Sequence, residues 1–151
     1  MRPYGTAVLR LCVGTVFLAH GAQKLFGAWG GPGLTGTAGL FESLGLTPAY
    51  PLAALAAVAE FGGGVLLIVG GLTRWVALVL ALEMGVAVWK VHYINGFFLN
   101  STRGPGVEFC LVLTGALLCL MLAGPGALSV DEWRTSSAEA KRAGQARARK
   151  V

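Results

Sequence analysis

Four apolar segments, each about long enough to cross a lipid bilayer, constrain this chain more than any other feature. A helix needs about 20 predominantly apolar residues to cross the hydrocarbon core of a membrane. The segments of this kind are Gly5–Phe26, Ala49–Gly70, Arg74–Tyr93 and Val107–Leu122. Only 13% of the residues are charged, whereas soluble domains average about 25%. The sequence therefore predicts an all-α fold, a four-transmembrane-helix bundle.

The basic residues predict how this bundle is oriented. If the chain crosses four times, Arg2, Arg74 and the basic tail fall on one side, and Arg103 falls on the other. Cytoplasmic loops and ends carry an excess of Lys and Arg, so both termini are predicted to be cytoplasmic. Beside membrane spans, the basic tail indicates attraction to an anionic lipid bilayer, and no nucleic acid partner is needed to explain it.

Two short helices are expected outside the spans. Thr37 can cap an amphipathic helix in the first loop, which would lie at the outer membrane interface as a lid over the bundle. After the fourth span, Ser129 or Asp131 can cap a short helix along the inner surface. These assignments divide the chain into a membrane domain, residues 1–133, and a basic cytoplasmic tail, residues 134–151.

Charged and titratable side chains interrupt the apolar segments. Ionisable groups at bilayer depth are costly and need partners inside the protein or a water-filled cavity. Three cations, Arg10, Lys24 and Lys90, balance three anions, Glu60, Glu83 and Glu108, and two histidines, His20 and His92, can titrate.

Helix geometry predicts that most of these groups meet. At about 3.6 residues per turn, Arg10, His20 and Lys24 fall within an arc of about 80°. Lys90 lies within about 20° of Glu83, whereas His92 would point away from Glu83 in a regular helix. We therefore expect a polar pocket that opens toward the outer side, with Arg10 near the cytoplasmic end.

Roles can be assigned to these residues as hypotheses. Glu60, His20 and Glu108 are the candidate catalytic residues; His20, Lys24, His92 and Glu83 are the candidate ligand-binding residues; Arg10 and Lys90 are expected to form structural ion pairs. Simpler interpretations remain open, because ion pairs can hold helices in register and Glu108 can be a helix N-terminal carboxylate. The three cysteines are widely spaced, so no metal site is predicted.

Several motifs in order along the chain carry a family resemblance. They include RLCVGTVFLAHGAQKLFG, AEFGGGVLLIVGG, HYINGFF and GPGALSVDEW. Together they resemble the DoxX family of small four-helix bacterial membrane proteins. The resemblance implies a multi-pass protein of the bacterial inner membrane. Its charged and histidine positions correspond to Arg10, His20, Lys24, Glu60, Arg74, His92 and Glu108; Glu83 and Lys90 are less clearly part of the pattern.

The resemblance implies a redox-related role without fixing the reaction. The main hypothesis is a quinone-linked oxidoreductase or a component of a membrane redox complex. Quinone is then the candidate ligand, and a partner protein supplies the electrons. Haem ligation by His20 and His92 is the weaker interpretation, since no c-type attachment motif is present. Two alternatives are a non-catalytic scaffold that anchors a soluble redox enzyme at the cytoplasmic side, and a small proton-coupled carrier, which would require a homo-oligomer.

Overall fold

The regular elements of the chain are helices. The computed structural model describes residues 2–99 and 104–148; Arg103 and the last three tail residues, used above to predict orientation, lie outside these ranges. The described elements are α1 (Arg2–Phe26), α2 (Gly33–Ser43), α3 (Ala49–Val69), α4 (Thr73–Ala87), α5 (Glu108–Ala123) and α6 (Val130–Ala148). The predicted all-α fold is confirmed.

Three segments are long and apolar enough to cross a membrane: Tyr4–Phe26, Ala49–Val69 and Thr73–Asn95. α5 is also apolar but shorter, at 16 residues. The boundaries agree with the sequence prediction to about one helical turn. Large apolar side chains such as Val58, Leu82 and Leu122 are exposed on the outside of the helices, where lipid would cover them.

The long helices close into a ring. α1 packs against α3, α3 against α4, α4 against α5, and α5 returns to α1. The side chains between them form one core, in which Phe17, Leu67, Leu80, Leu117 and Leu120 are almost completely buried. α2 lies across α3 and α1 at one end of this ring.

Glycines bring the backbones of α1 and α3 close together. A β-carbon at Gly21 would overlap the backbone of Phe61, and one at Gly64 would overlap the backbone of Leu18. Small residues at helix contacts allow this approach in membrane proteins, where the van der Waals contact itself drives association. The α1–α3 contact therefore depends on the absence of side chains at these positions.

At the end of the bundle where α3 stops, Arg10 joins three parts of the chain. Its guanidinium is 1% exposed. Nη1 donates to the carbonyls of Leu67 and Ile68 at 3.0 and 2.8 Å, and Nη2 donates to those of Ala127 and Leu128 at 3.3 and 3.0 Å. The carbonyls of a helix's last turn lack partners within the helix, so Arg10 satisfies the end of α3.

These contacts correct the prediction of an ion pair for Arg10. No carboxylate lies within 4.0 Å of its guanidinium among the described residues. The balancing partial charges come from backbone carbonyls, including those at the negative end of the α3 dipole. We call this arrangement, together with the Asp131 contacts described next, the Arg10 cluster.

The start of α6 is tied to the start of α4. The Asp131 carboxylate accepts hydrogen bonds from the amides of Leu72 and Thr73, both at 2.9 Å. Leu72 has a left-handed backbone, with φ of 51°, which is unfavourable for a residue with a β-carbon. Ser129 caps α6 itself, because its hydroxyl accepts a hydrogen bond from the Glu132 amide at 3.1 Å. Of the two predicted caps, Ser129 serves α6 and Asp131 serves α4.

The helix in the first loop begins earlier than predicted. α2 starts at Gly33, so Thr37 lies inside it and is 2% exposed. Its hydroxyl donates to the Gly33 carbonyl at 2.8 Å, as threonine hydroxyls do within helices. Thr37 is therefore not the N-cap that the sequence suggested.

Replacing Gly64 by Ala should destabilise the protein by about 1–3 kcal/mol, because a methyl group would collide with the α1 backbone. The matched control is Gly62→Ala on the same helix, where an added β-carbon meets no atom within 4 Å. The measurement is the thermal unfolding midpoint of both variants in one detergent. Equal midpoints for the two variants would contradict the close α1–α3 contact.

Replacing Asp131 by Asn should cost about 1–2 kcal/mol, because one carboxylate oxygen that accepts an amide hydrogen bond becomes an NH₂ donor. Glu132→Gln is the control, since no hydrogen bond to the Glu132 side chain is seen among the described residues. Unfolding midpoints report the difference. A loss of the same size in both variants would show that Asp131 has no special role in holding α4.

Candidate functional site

A cavity of about 680 Å³ lies between α1, α2, α3, α4 and α5, at the end of the bundle away from the Arg10 cluster. The charged and histidine side chains that line it come from three long helices and the segment after α4, and all are candidates from the sequence: His20, Lys24, Glu60, Glu83, Lys90 and His92. Most other lining side chains are apolar. A mainly apolar cavity with a few polar groups is typical of small-molecule sites.

Lys24 and Glu60 form the polar centre of this cavity. The Lys24 ammonium lies 2.5 Å from Glu60 Oε1. The Glu60 side chain is 3% exposed and the Lys24 side chain 27%. This is the one ion pair within the part of the chain that the structure describes. It joins α1 to α3 within one helical turn of the contact between Gly21 and Phe61.

The second oxygen of Glu60 is left without a partner. Oε2 is buried and accepts no hydrogen bond from any described residue. A buried polar atom without a partner costs about 1–3 kcal/mol, and in native proteins such atoms are rare. Because Glu60 lines the cavity, a donor on a bound molecule could satisfy this oxygen.

Glu83 adds a second carboxyl group from α4. It is half-buried, lines the same cavity and lies close enough for the charges of Glu60 and Lys24 to act on it. Two carboxyl groups therefore share the field of one ammonium. Such a set can hold and pass a proton, because only one of the two carboxylates has a cation beside it.

His92 reaches the cavity because the helix changes its winding. After α4, the residues Val88–His92 form a π-helical turn, followed by a 3₁₀ turn, Tyr93–Asn95. The wider turn delays the helical phase, and Lys90 and His92, which lie in it, both line the cavity. The prediction that His92 points away from Glu83 applies only to a regular helix. π-turns are frequent at functional sites.

A hydrogen bond fixes the orientation of the His92 ring. Nδ1 lies 2.8 Å from the Pro105 carbonyl oxygen. Since a carbonyl can only accept, Nδ1 carries the hydrogen, and Nε2 is the acceptor of the neutral ring. His92 therefore offers a proton-accepting nitrogen.

Lys90 corrects a second prediction. It has no carboxylate within 4.0 Å among the residues described, although the sequence predicts an ion pair. Its ammonium instead lies 4.3 Å from the centre of the Trp89 ring, a cation–π contact. The common face predicted for Lys90 and Glu83 thus produces no ion pair among the described residues.

His20 lies at the surface of the cavity and Glu108 beside it. His20 is exposed, and its ring lies 6.4 Å from that of Phe109 on α5. Glu108 is the first residue of α5, and its carboxylate accepts a hydrogen bond from the Leu99 amide at 2.5 Å. Glu108 is not among the described residues that line the cavity. The geometry thus separates Glu108 from the other candidates, and its catalytic role stays a prediction.

The wall of the cavity also contains residues that were not among the site candidates, some of them from the first-loop helix that the sequence predicts as a lid. α2 contributes Thr37, Leu40 and Phe41, and α5 contributes Cys110, for which the sequence predicts no role. Cys110, Leu113 and Leu117 are buried on one face of α5. Their helical spacing is the sequence signal that marks Cys110 as a residue of the inward face.

Comparison with known proteins identifies the family. The DoxX family model matches residues 5–93, more than half of the chain. This range holds α1 to α4 and every polar residue of the cavity. The chain belongs to the DoxX family.

Its relatives are bacterial proteins of similar length. Inner membrane protein YphA of Escherichia coli is 31% identical over 134 residues, covering 86% of this chain and 90% of YphA. Inner membrane protein YqjF of the same organism is 31% identical over 132 residues, covering 84% and 89%. A Bacillus subtilis relative named "Putative oxidoreductase CatD" is 33% identical over 127 residues, covering 84% of each chain. No solved structure matches this DoxX protein significantly.

Replacing Lys24 by Met should destabilise this DoxX protein by roughly 2–4 kcal/mol, because Glu60 would stay buried without its cation. Adding Glu60→Gln to Lys24→Met should recover part of that loss. Lys90→Met is the control, since its ammonium has no carboxylate partner in the described part of the chain. The readout is the unfolding midpoint; an additive double variant would show that the pair is not coupled.

Proposed function

We propose that this DoxX protein is a quinone-binding component of a membrane redox complex in the bacterial inner membrane, and that the quinone head group binds in the cavity beside Lys24 and Glu60. The observation that carries the proposal is the cavity itself. It combines a volume of about 680 Å³ and mainly apolar walls with one buried ion pair that leaves a Glu60 oxygen unsatisfied. The names of two relatives as inner membrane proteins, and of one as an oxidoreductase candidate, support it.

The proposal includes a topology with four crossings. Three segments have the required length and apolar character, and α5, at 16 residues, extends about 24 Å at 1.5 Å per residue. That length spans most of a hydrocarbon core of about 30 Å. With both termini in the cytoplasm, the cavity lies in the outer half of the membrane and the Arg10 cluster in the inner half.

The polar groups suit the chemistry of a quinone head. Its carbonyl oxygens accept hydrogen bonds, which the Lys24 ammonium can donate. Its reduced form carries hydroxyl groups, and Glu60 Oε2 and His92 Nε2 can accept hydrogen bonds from them. Since reduction takes up protons together with electrons, Glu60 and Glu83 would supply or receive them by general acid–base chemistry. The apolar walls would hold the ring and the start of the tail.

A partner would supply or receive the electrons. In the proposed topology α6, which runs from Val130 to Ala148, lies on the cytoplasmic side and is tied to the bundle by the Arg10 cluster. A soluble redox enzyme bound there would make this chain the quinone-binding subunit of an oxidoreductase.

The direct test is saturable binding of a short-chain quinone to purified protein in a mild detergent, by isothermal titration calorimetry. Lys24→Gln should raise the Kd about 10-fold or more, because a charge-assisted hydrogen bond contributes about 1.5–3 kcal/mol. Ala56→Phe, which fills the cavity, should abolish binding. Arg74→Gln is the matched control, since it removes a charge at the other end of the bundle.

Two outcomes would contradict the proposal. If well-folded Lys24→Gln and Ala56→Phe bind the quinone as the parent protein does, the ligand does not occupy this cavity. If the parent shows no saturable binding, and no quinone is extracted from protein purified gently from membranes, quinone is not the ligand.

A further inference from the structure

A second cavity, of about 630 Å³, lies at the opposite end of the bundle, between the start of α4 and the first turns of α6. Two arginines line it, Arg74 from α4 and Arg134 from α6. None of its lining residues belongs to the cavity proposed for the quinone. The polar groups of this second cavity can therefore bind a ligand independently of the quinone.

Neither arginine is neutralised by a neighbour. Among the described residues, no carboxylate lies within 4.0 Å of Arg74 or Arg134, although Asp131 and Glu132 line the same cavity. Both Asp131 oxygens already accept hydrogen bonds from the amides of Leu72 and Thr73. Glu132 remains as the one lining carboxylate not engaged by a described donor.

A buried hydroxyl group adds a third donor. Thr73 is 0% exposed, and its Oγ1 has no hydrogen-bond partner among the described residues. Buried polar atoms in native proteins almost always have a partner, so each exception needs an explanation. Thr73 lines this cavity. A hydrogen-bond acceptor bound there would be the missing partner of its hydroxyl group.

The position of the cavity indicates what kind of acceptor is available. Thr73 begins the apolar segment Thr73–Asn95, so the cavity lies where a spanning helix meets the head groups. Trp75, which also lines it, is 69% exposed, and tryptophan is enriched at this depth. In the topology proposed above this end is cytoplasmic, and basic pockets between helices on that side bind anionic head groups; the inference rests on that topology and not on the quinone.

We propose that this cavity is a phosphate site, formed by the guanidinium groups of Arg74 and Arg134 and the hydroxyl of Thr73. Guanidinium groups bind phosphate oxygens with two parallel hydrogen bonds, and a threonine hydroxyl can donate a third. The phosphate belongs either to an anionic phospholipid or to a free phosphate ion. Glu132 at the same cavity opposes an anion, so its charge should weaken the site.

The experiment is native mass spectrometry of the purified full chain in detergent. It is titrated separately with phosphatidylglycerol and with phosphatidylcholine of the same acyl chains. A third titration adds inorganic phosphate to the phosphatidylglycerol complex. Displacement by millimolar phosphate identifies the free ion as sufficient, whereas retention of the lipid identifies the head group as the ligand.

The variants give effects of opposite sign. Arg74→Gln or Arg134→Gln should weaken phosphatidylglycerol binding about 10-fold or more, and Thr73→Val about 3-fold or more. Glu132→Gln should strengthen binding. Lys141→Gln, which removes one charge from the tail, is the control for general attraction of the basic tail to lipid and should have little effect.

Several results would overturn the proposal. They are equal binding of the two lipids, unchanged binding in all three weakening variants, or an equal loss in Lys141→Gln. Unfolding midpoints identify any variant that fails to fold. If an arginine variant is unstable, Thr73→Val and Glu132→Gln decide the question, because both nearly preserve side-chain size and neither removes a cation.

Discussion

The close approach of α1 to α3 is the contact on which the rest of the structure depends. Gly21 lies against the backbone of Phe61, and Gly64 against that of Leu18, so no side chain separates the two helices there. The same helix pair carries a polar contact at each end. Arg10 binds the last carbonyls of α3, and Lys24 binds Glu60. A displacement of α1 along α3 would break both contacts together.

Each end of this helix pair combines satisfied polar groups with buried polar atoms that have no described partner. At the Arg10 cluster, both terminal guanidinium nitrogens have carbonyl partners and Asp131 has two amide partners, whereas Arg10 Nε and Thr73 Oγ1 have no described partner. These contacts join α1, α3, α4 and α6, so the Arg10 cluster has a structural role. At the other end, Glu60 keeps a buried oxygen without a described partner, and Glu83 and Lys90 lack ion-pair partners in the described chain. Unsatisfied groups around a cavity are what a binding site requires before its ligand arrives.

The sequence was sufficient for the helices and for the charged and histidine side chains that line the cavity, but it wrongly grouped Glu108 with them and did not reveal the partners of these groups. Hydropathy located the long helices because burial in lipid selects apolar side chains over about 20 positions. The partners of Arg10 are backbone carbonyls, which every residue carries, so nothing in the sequence marks them. Asp131 holds a helix that begins 58 residues earlier, and local capping rules cannot reveal such a contact. His92 depended on a π-helical turn, which changes the phase that periodicity assumes.

Stability alone does not explain the Lys24–Glu60 ion pair. A buried ion pair is a poor way to stabilise a bundle, since the cost of removing both charges from water is of the same order as their attraction. Glycine contacts and the Arg10 cluster already fix the register of α1 on α3, so the pair is not needed for that purpose. The pair also leaves Glu60 Oε2 without a described partner, and Glu60 lines the cavity. These observations are consistent with the ligand site proposed beside Lys24 and Glu60.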